Sequence, residues 1–170
     1  MLSLRWLVVV SAVFLNGCAL TDFPGFGPRG TGPTSNVIDL TTQKACLYRG
    51  RTLVLESVAS TGREGYATPT GKFRVIEKDI DHRSTLYGEY VQNGTVIIPG
   101  VDVRKQPRPP GTTFEGAPMP YFLRIVGGVG MHAGQVPRYP ASHGCIRLPN
   151  WKARRFYAEA RVGTPVTIRR

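Results

Sequence analysis

The chain has 170 residues, enough for one domain and a remainder, with 22 Lys and Arg against 11 Asp and Glu and a formal net charge of +11. Hydrophobic residues at 41% exclude a disordered chain, and the three Cys are too few for a disulfide scaffold. With Gly at 20 and Pro at 14, many turns and few long helices are expected.

The first element is an address. Arg5 precedes an apolar stretch from Trp6 to Leu15, of the length of an export signal's hydrophobic region and too short to span a bilayer. Leu15-Asn16-Gly17-Cys18 resembles a bacterial lipobox, departing from it at Asn16, where a smaller residue is usual. The resemblance implies cleavage before Cys18 and acylation of its thiol, which anchors stably once two or more acyl chains are present. By resemblance to lipoprotein sorting rules, Ala19 after the Cys points to the outer membrane. The alternative is an ordinary cleaved signal with an incidental Cys. The expected organisation is a lipoprotein signal peptide over 1–17, a lipidated Gly- and Pro-rich tether over 18–35, and one domain over 36–170. The protein is then exported and periplasmic, bound to a membrane through lipid on Cys18.

Within the domain, Val37 to Leu40, Lys44 to Tyr48 and Thr52 to Val58 read as strands, with Arg49-Gly50 as a turn. Lys72 to Ile80 alternates and reads as one strand. Residues 81–120 read as irregular because of Pro107, Pro109, Pro110, Pro118 and Pro120, apart from a short strand at Thr95 to Ile98. Tyr121 to Val126 and Val166 to Ile168 add two more strands. One helix is expected over Trp151 to Arg161, with Asn150 as its N-cap and Gly163 and Pro165 ending it. Short strands between turn signals predict a mainly β barrel or sandwich with one or two short helices.

The chemistry is concentrated in His132-Ala-Gly-Gln-Val-Pro-Arg-Tyr-Pro-Ala-Ser-His-Gly-Cys-Ile-Arg147, which carries two of the three His. In one reading Cys145 is a nucleophile and His132 its base, since a thiol attacks only as thiolate and an imidazole can take its proton. Such a pair is expected to depress the Cys145 pKa. Gly144 permits close backbone approach, and the Gly144 and Cys145 amides can face an oxyanion. In a second reading His132, His143 and Cys145 hold Zn²⁺, with His82 or water as fourth ligand; no CxxC or HExxH supports it. In a third, Cys145 is an inert buried thiol.

Ser142-His143-Gly144-Cys145-Ile146-Arg147-Leu148, with Met131-His132 upstream, resembles the signature of the YkuD-type L,D-transpeptidase catalytic domain. Thr61-Gly62 and Thr68-Pro69-Thr70-Gly71-Lys72-Phe73 resemble its upstream blocks, and Gly163 to Ile168 its closing strand. The resemblance runs from about Asn36 to Ile168. It implies that Cys145 accepts the acyl group, that His132 is its base, and that the Ala133 carbonyl orients the imidazole. It further implies that Ser142 and His143 shape the site, that Gly144 supplies conformation and an amide, and that Arg147 holds a substrate carboxylate. The acidic residue that family members often carry near Trp151 or Lys152 is missing.

The implied substrate is the peptidoglycan stem peptide. Cys145 attacks the carbonyl of the L-centre of diaminopimelate, D-Ala leaves, and an amine resolves the thioester into a 3→3 cross-link. A wall-linked lipoprotein is the alternative acceptor, and water gives a carboxypeptidase or a hydrolase. No cofactor and no metal are implied. A non-catalytic wall-binding lipoprotein is the rival from another class. A nucleic-acid partner is not expected, because the basic residues are scattered without interleaved aromatics. Cys46 is expected in the core, His82 in a solvated loop, and Tyr87, Tyr121 and Phe122 either in the core or along the groove.

Overall fold

The computed structural model of the protein describes residues 30–170. The expected signal peptide, the lipidation site at Cys18 and most of the tether lie outside the described residues. Twelve strands and one helix follow. β1 (Thr34–Asp39), β2 (Lys44–Arg49) and β3 (Thr52–Val58) form a meander. Its second turn passes through Gly50, whose φ of +56° suits a residue without Cβ. β4 (Gly71–Arg74) and β12 (Pro165–Arg169) complete a five-stranded sheet in the order β3-β2-β1-β12-β4, with β12 parallel to β1.

The alternating run from Lys72 to Ile80 is two strands, not one. Val75 donates to Thr164 and Ile76 to Arg124, so the chain changes partners between the two residues. It then continues as β5 (Glu77–Asp79) in a second sheet, where it pairs with β9 (Phe122–Val126). Alternation holds where Phe73 and Val75 face the core and lapses over Glu77–Asp79, none of which is buried. β10 (Val129–Ala133) and β11 (Ile146–Leu148) complete this four-stranded sheet in the order β11-β10-β9-β5.

The expectation of an irregular 81–120 is overturned. β6 (Arg83–Gln92), β7 (Thr95–Asp102) and β8 (Thr113–Pro118) form a third sheet, ordered β7-β6-β8. Its period is hidden by bulges and by Gly88 in mid-strand, where a Cβ would lie 2.1 Å from the Glu115 carbonyl oxygen. Pro107, Pro109 and Pro110 lie in the β7–β8 connection and Pro118 closes β8, so none breaks a ladder.

The main core lies between the first two sheets. Ile38, Leu47, Leu123, Met131, Ile146, Leu148, Val166 and Ile168 are buried together there. The helix α1 (Asn150–Glu159) adds Ala153 and Phe156 and packs against β10 and β11. Asn150 is the first helical residue and not the cap; Pro149 occupies the cap position, with no side-chain bond to the helix amides. Cys46 is half-buried on the face of β2 opposite Ala45 and Leu47, beside Glu56, and not in the core.

Candidate functional site

Parallel pairing of β10 with β11 sets His132 opposite Arg147. Sequence reading missed both strands, although Val129, Met131 and Ala133 alternate, as do Ile146 and Leu148. Their pairing brings the two ends of the His132–Arg147 segment side by side. Cys145 immediately precedes β11 and opens into the same cavity as His132 and Arg147, of about 870 Å³. Ser142, His143 and Ala133 also line it, as do Tyr66, Tyr87 and His82.

His132 is 5% exposed. Its Nδ1 donates to the Ala133 carbonyl at 2.8 Å, which fixes the tautomer and leaves the Nε2 lone pair available. Burial lowers the pKa of His132 to about 4, with the neighbouring Arg147 and His82 acting in the same direction. Cys145 donates its thiol hydrogen to the Gly128 carbonyl at 3.6 Å. Burial raises its pKa, against smaller opposing effects from the Gly130 amide and Arg147. The expectation of a depressed thiol pKa is therefore corrected. At neutral pH the resting site holds a neutral thiol and a neutral imidazole, because desolvation outweighs the available cations.

The loop before Cys145 is fastened from behind. Ser142 Oγ accepts from the Gly144 amide at 3.1 Å and donates to the Cys145 carbonyl at 2.5 Å. The Gly144 amide is thus engaged by Ser142, which leaves the Cys145 amide as the candidate oxyanion donor of the two expected. Gly144 has φ +113°, and its carbonyl accepts from Thr68 Oγ1 at 2.7 Å. Thr68 Oγ1 in turn accepts from the Gly62 amide at 2.8 Å. The Thr61 carbonyl takes the amides of Ala141 and Ser142, while Ser60 and Arg147 exchange backbone bonds. The upstream motifs therefore brace the Ser142–Cys145 turn.

Gln43 reinforces this brace: its side-chain amide bonds Thr61 on both sides, accepting from the Thr61 amide and donating to its hydroxyl. Sequence reading did not single out Gln43. Its φ of +52° makes it unusual only once the backbone is seen.

His143 packs against two tyrosines of the cavity lining. It stacks on Tyr87 at 4.1 Å and meets the edge of Tyr66 at 4.6 Å. Its Nε2 lies 2.7 Å from an Arg63 nitrogen. A guanidinium only donates, so Nε2 accepts and the ring is neutral with the proton on Nδ1. Burial and then the Arg63 charge lower the His143 pKa. The ligand atoms of His132, His143 and Cys145 are not brought together as a metal set; among the described residues such a grouping occurs at Glu77, Asp79 and His82.

Arg147 is half-buried in the cavity wall and makes no ion pair among the described residues. A desolvated guanidinium without a counter-ion suits an anionic ligand. Arg104, by contrast, is committed to Asp102, whose carboxyl it holds down at about 2.

Comparison with known proteins agrees with this architecture. Residues 33–168 match the family described as YkuD, the L,D-transpeptidase catalytic domain. Among solved structures, an L,D-transpeptidase from Mycobacterium smegmatis is 21% identical with a TM-score of 0.59, covering 81% of this chain and 59% of its own. One from Stackebrandtia nassauensis is 19% identical with a TM-score of 0.60, covering 88% and 62%. The LD-transpeptidase LdtMt1, solved in complex with imipenem, is 19% identical with a TM-score of 0.59, covering 80% and 58%. The chain therefore spans about six-tenths of the length of these neighbours. A search of the curated proteins found no match. With four-fifths of its length matched to the family and its fold shared with those enzymes, the chain belongs to the YkuD L,D-transpeptidase catalytic-domain family.

Proposed function

We propose that the domain is a cysteine-dependent peptidoglycan L,D-transpeptidase, carried on an exported chain anchored through lipid on Cys18. One observation carries the reading: a thiol, an imidazole with its Nε2 lone pair available, and an unpaired Arg share one cavity. The donor stem binds with the terminal carboxylate of its D-Ala on Arg147. His132 Nε2 takes the Cys145 proton as the thiol attacks the L-centre carbonyl, and the Cys145 amide faces the developing oxyanion. The C–N bond breaks, His132 returns the proton to the departing amine, and a thioester remains. An amine acceptor, from a second stem or a wall-linked lipoprotein, then displaces Cys145.

The test is incubation of the protein with disaccharide-tetrapeptides, followed by mass spectrometry. Loss of D-Ala with formation of a dimer is expected. Loss of D-Ala alone makes the protein an L,D-carboxypeptidase, with water as acceptor. No turnover, with an unreactive Cys145, overturns the enzyme reading and leaves a wall-binding module.

Arg147→Gln separates binding from chemistry. A charge-assisted hydrogen bond is worth about 1.5–3 kcal/mol, so the donor KM is expected to rise roughly tenfold to a hundredfold. A donor amidated at the terminal carboxylate should show no such difference between the two proteins. Equal losses with both donors would mean that Arg147 braces the fold and does not bind substrate.

A further inference from the structure

The cavity holds a second imidazole that the steps above do not use. His82 was expected in a solvated loop; instead it lines the cavity, stacked on Phe122 with ring centroids 4.2 Å apart. The His132 ring lies 6.3 Å from the same phenyl, so the two imidazoles flank one aromatic side chain. His82 Nδ1 is 3.0 Å from Asp79 Oδ2. The bond from His82 is the main cause of a lowered Asp79 pKa, which keeps that carboxylate ionised. An ionised carboxylate only accepts, so Nδ1 carries a proton, and in the neutral ring Nε2 is then the atom with the lone pair. Glu77, the other carboxylate at hand, is paired with Arg124.

The chemistry of transfer needs one more base than the Cys145–His132 pair supplies. An alkyl amine is an ammonium at neutral pH. It must lose one proton before it can attack and a second as the amide forms. His132 has one site for these two protons, its Nδ1 being committed to Ala133.

We propose that the Asp79–His82 pair is the catalytic base that deprotonates the acceptor amine. The proposal rests on the acyl-enzyme reading above. The ammonium passes a proton to His82 Nε2, and the freed lone pair forms the C–N bond to the thioester carbonyl carbon. The tetrahedral species collapses with cleavage of the C–S bond, and Cys145 leaves as thiolate. Of the two protons left on nitrogen, one stays as the amide N–H and the other moves to His132 Nε2 and then to the thiolate, while His82 returns its proton to water.

The test is His82→Gln in the full chain, with Asp79→Asn beside it. Two steps are read separately: the burst of D-Ala release, and transfer of the acyl group to two acceptors. One acceptor is an alkylamine. The other is an alkoxyamine, which is already unprotonated at neutral pH. For His82→Gln the burst is expected within about twofold of the unsubstituted protein, and transfer to the alkylamine about a hundredfold slower, the usual scale of general-base catalysis. Transfer to the alkoxyamine should be unchanged. Asp79→Asn should lower alkylamine transfer in the same selective way. A parallel loss with both acceptors, a loss of the burst, or unchanged alkylamine transfer would each overturn the proposal. No burst from the unsubstituted protein overturns the acyl-enzyme itself, and this proposal with it.

Discussion

Cys145→Ala is expected to abolish release of D-Ala from stem peptides, with no loss of fold. His132→Ala should slow acylation by roughly 10²- to 10⁴-fold, the range for loss of a positioned base. The two neutral resting groups add a sharper expectation. Burial lifts the Cys145 pKa above the ordinary thiol value and lowers that of His132 to about 4. Alkylation by a small thiolate-specific reagent should therefore be slow at neutral pH and rise only in the alkaline range. Because no imidazolium stabilises a resting thiolate, His132→Ala should leave that alkylation profile nearly in place while acylation collapses. The sign follows from the states involved. Above about pH 4 the imidazole is neutral and able to take a proton, and below the raised thiol pKa the proton is still on sulfur. Proton transfer thus accompanies attack and does not precede it. A thiol that titrates below the ordinary value, and climbs when His132 is removed, would overturn this account.

The residues of the candidate site were legible because they are clustered in sequence and of rare types. Cys145, His132 and Arg147 lie within sixteen positions, and the turn residues Ser142-His143-Gly144 between them leave few foldings. What could not be read was the environment. Nothing in the local sequence says that His132 is buried, since that follows from the packing of β10 between β9 and β11. Nor does it say that Ser142 takes the Gly144 amide, because that bond belongs to a turn with φ +113° whose carbonyl is held by Thr68, far away in sequence. The fold shows the same division. Strands with one face on the core, such as β1 and β2, keep a period of two and were found. The third sheet has half-exposed faces, bulges and Gly88, so its pattern dissolves into polar residues and prolines. His82 was misplaced for a related reason: Asp79-Ile80-Asp81-His82 is as polar as a solvated turn, and only the stacking on Phe122, forty residues away, turns the imidazole into the cavity.

Gly62→Ala is expected to be the most damaging change outside the reacting groups. A Cβ at this position would lie 1.9 Å from the Tyr66 carbonyl oxygen, 2.7 Å from the Thr68 nitrogen and 3.0 Å from the Ala67 carbonyl carbon. All three are backbone atoms and cannot rotate aside, so the segment 66–68 must move as a unit. That movement takes Thr68 Oγ1 off the Gly144 carbonyl and off the Gly62 amide, which it bonds at 2.7 and 2.8 Å. Overpacking costs about 1–3 kcal/mol and each lost bond at a buried site about 1 kcal/mol more. The sum is on the order of 3–5 kcal/mol, or a Tm lower by roughly 10–20 °C for a domain of this size. Activity should fall further than stability alone requires, because the Ser142–Cys145 turn loses its support while most molecules remain folded. Gly128→Ala is the control. It borders the same cavity but has open space around it, so its Tm should stay within about 2 °C. Thr68→Ser and Thr68→Val then separate the hydroxyl from the packing: the serine keeps both bonds and most of the stability, and the valine keeps the volume and loses both. Thermal denaturation of the four variants settles the matter. Equal Tm values for Gly62→Ala and Gly128→Ala would show that the brace behind Cys145 yields freely, and that the turn holds its shape without it.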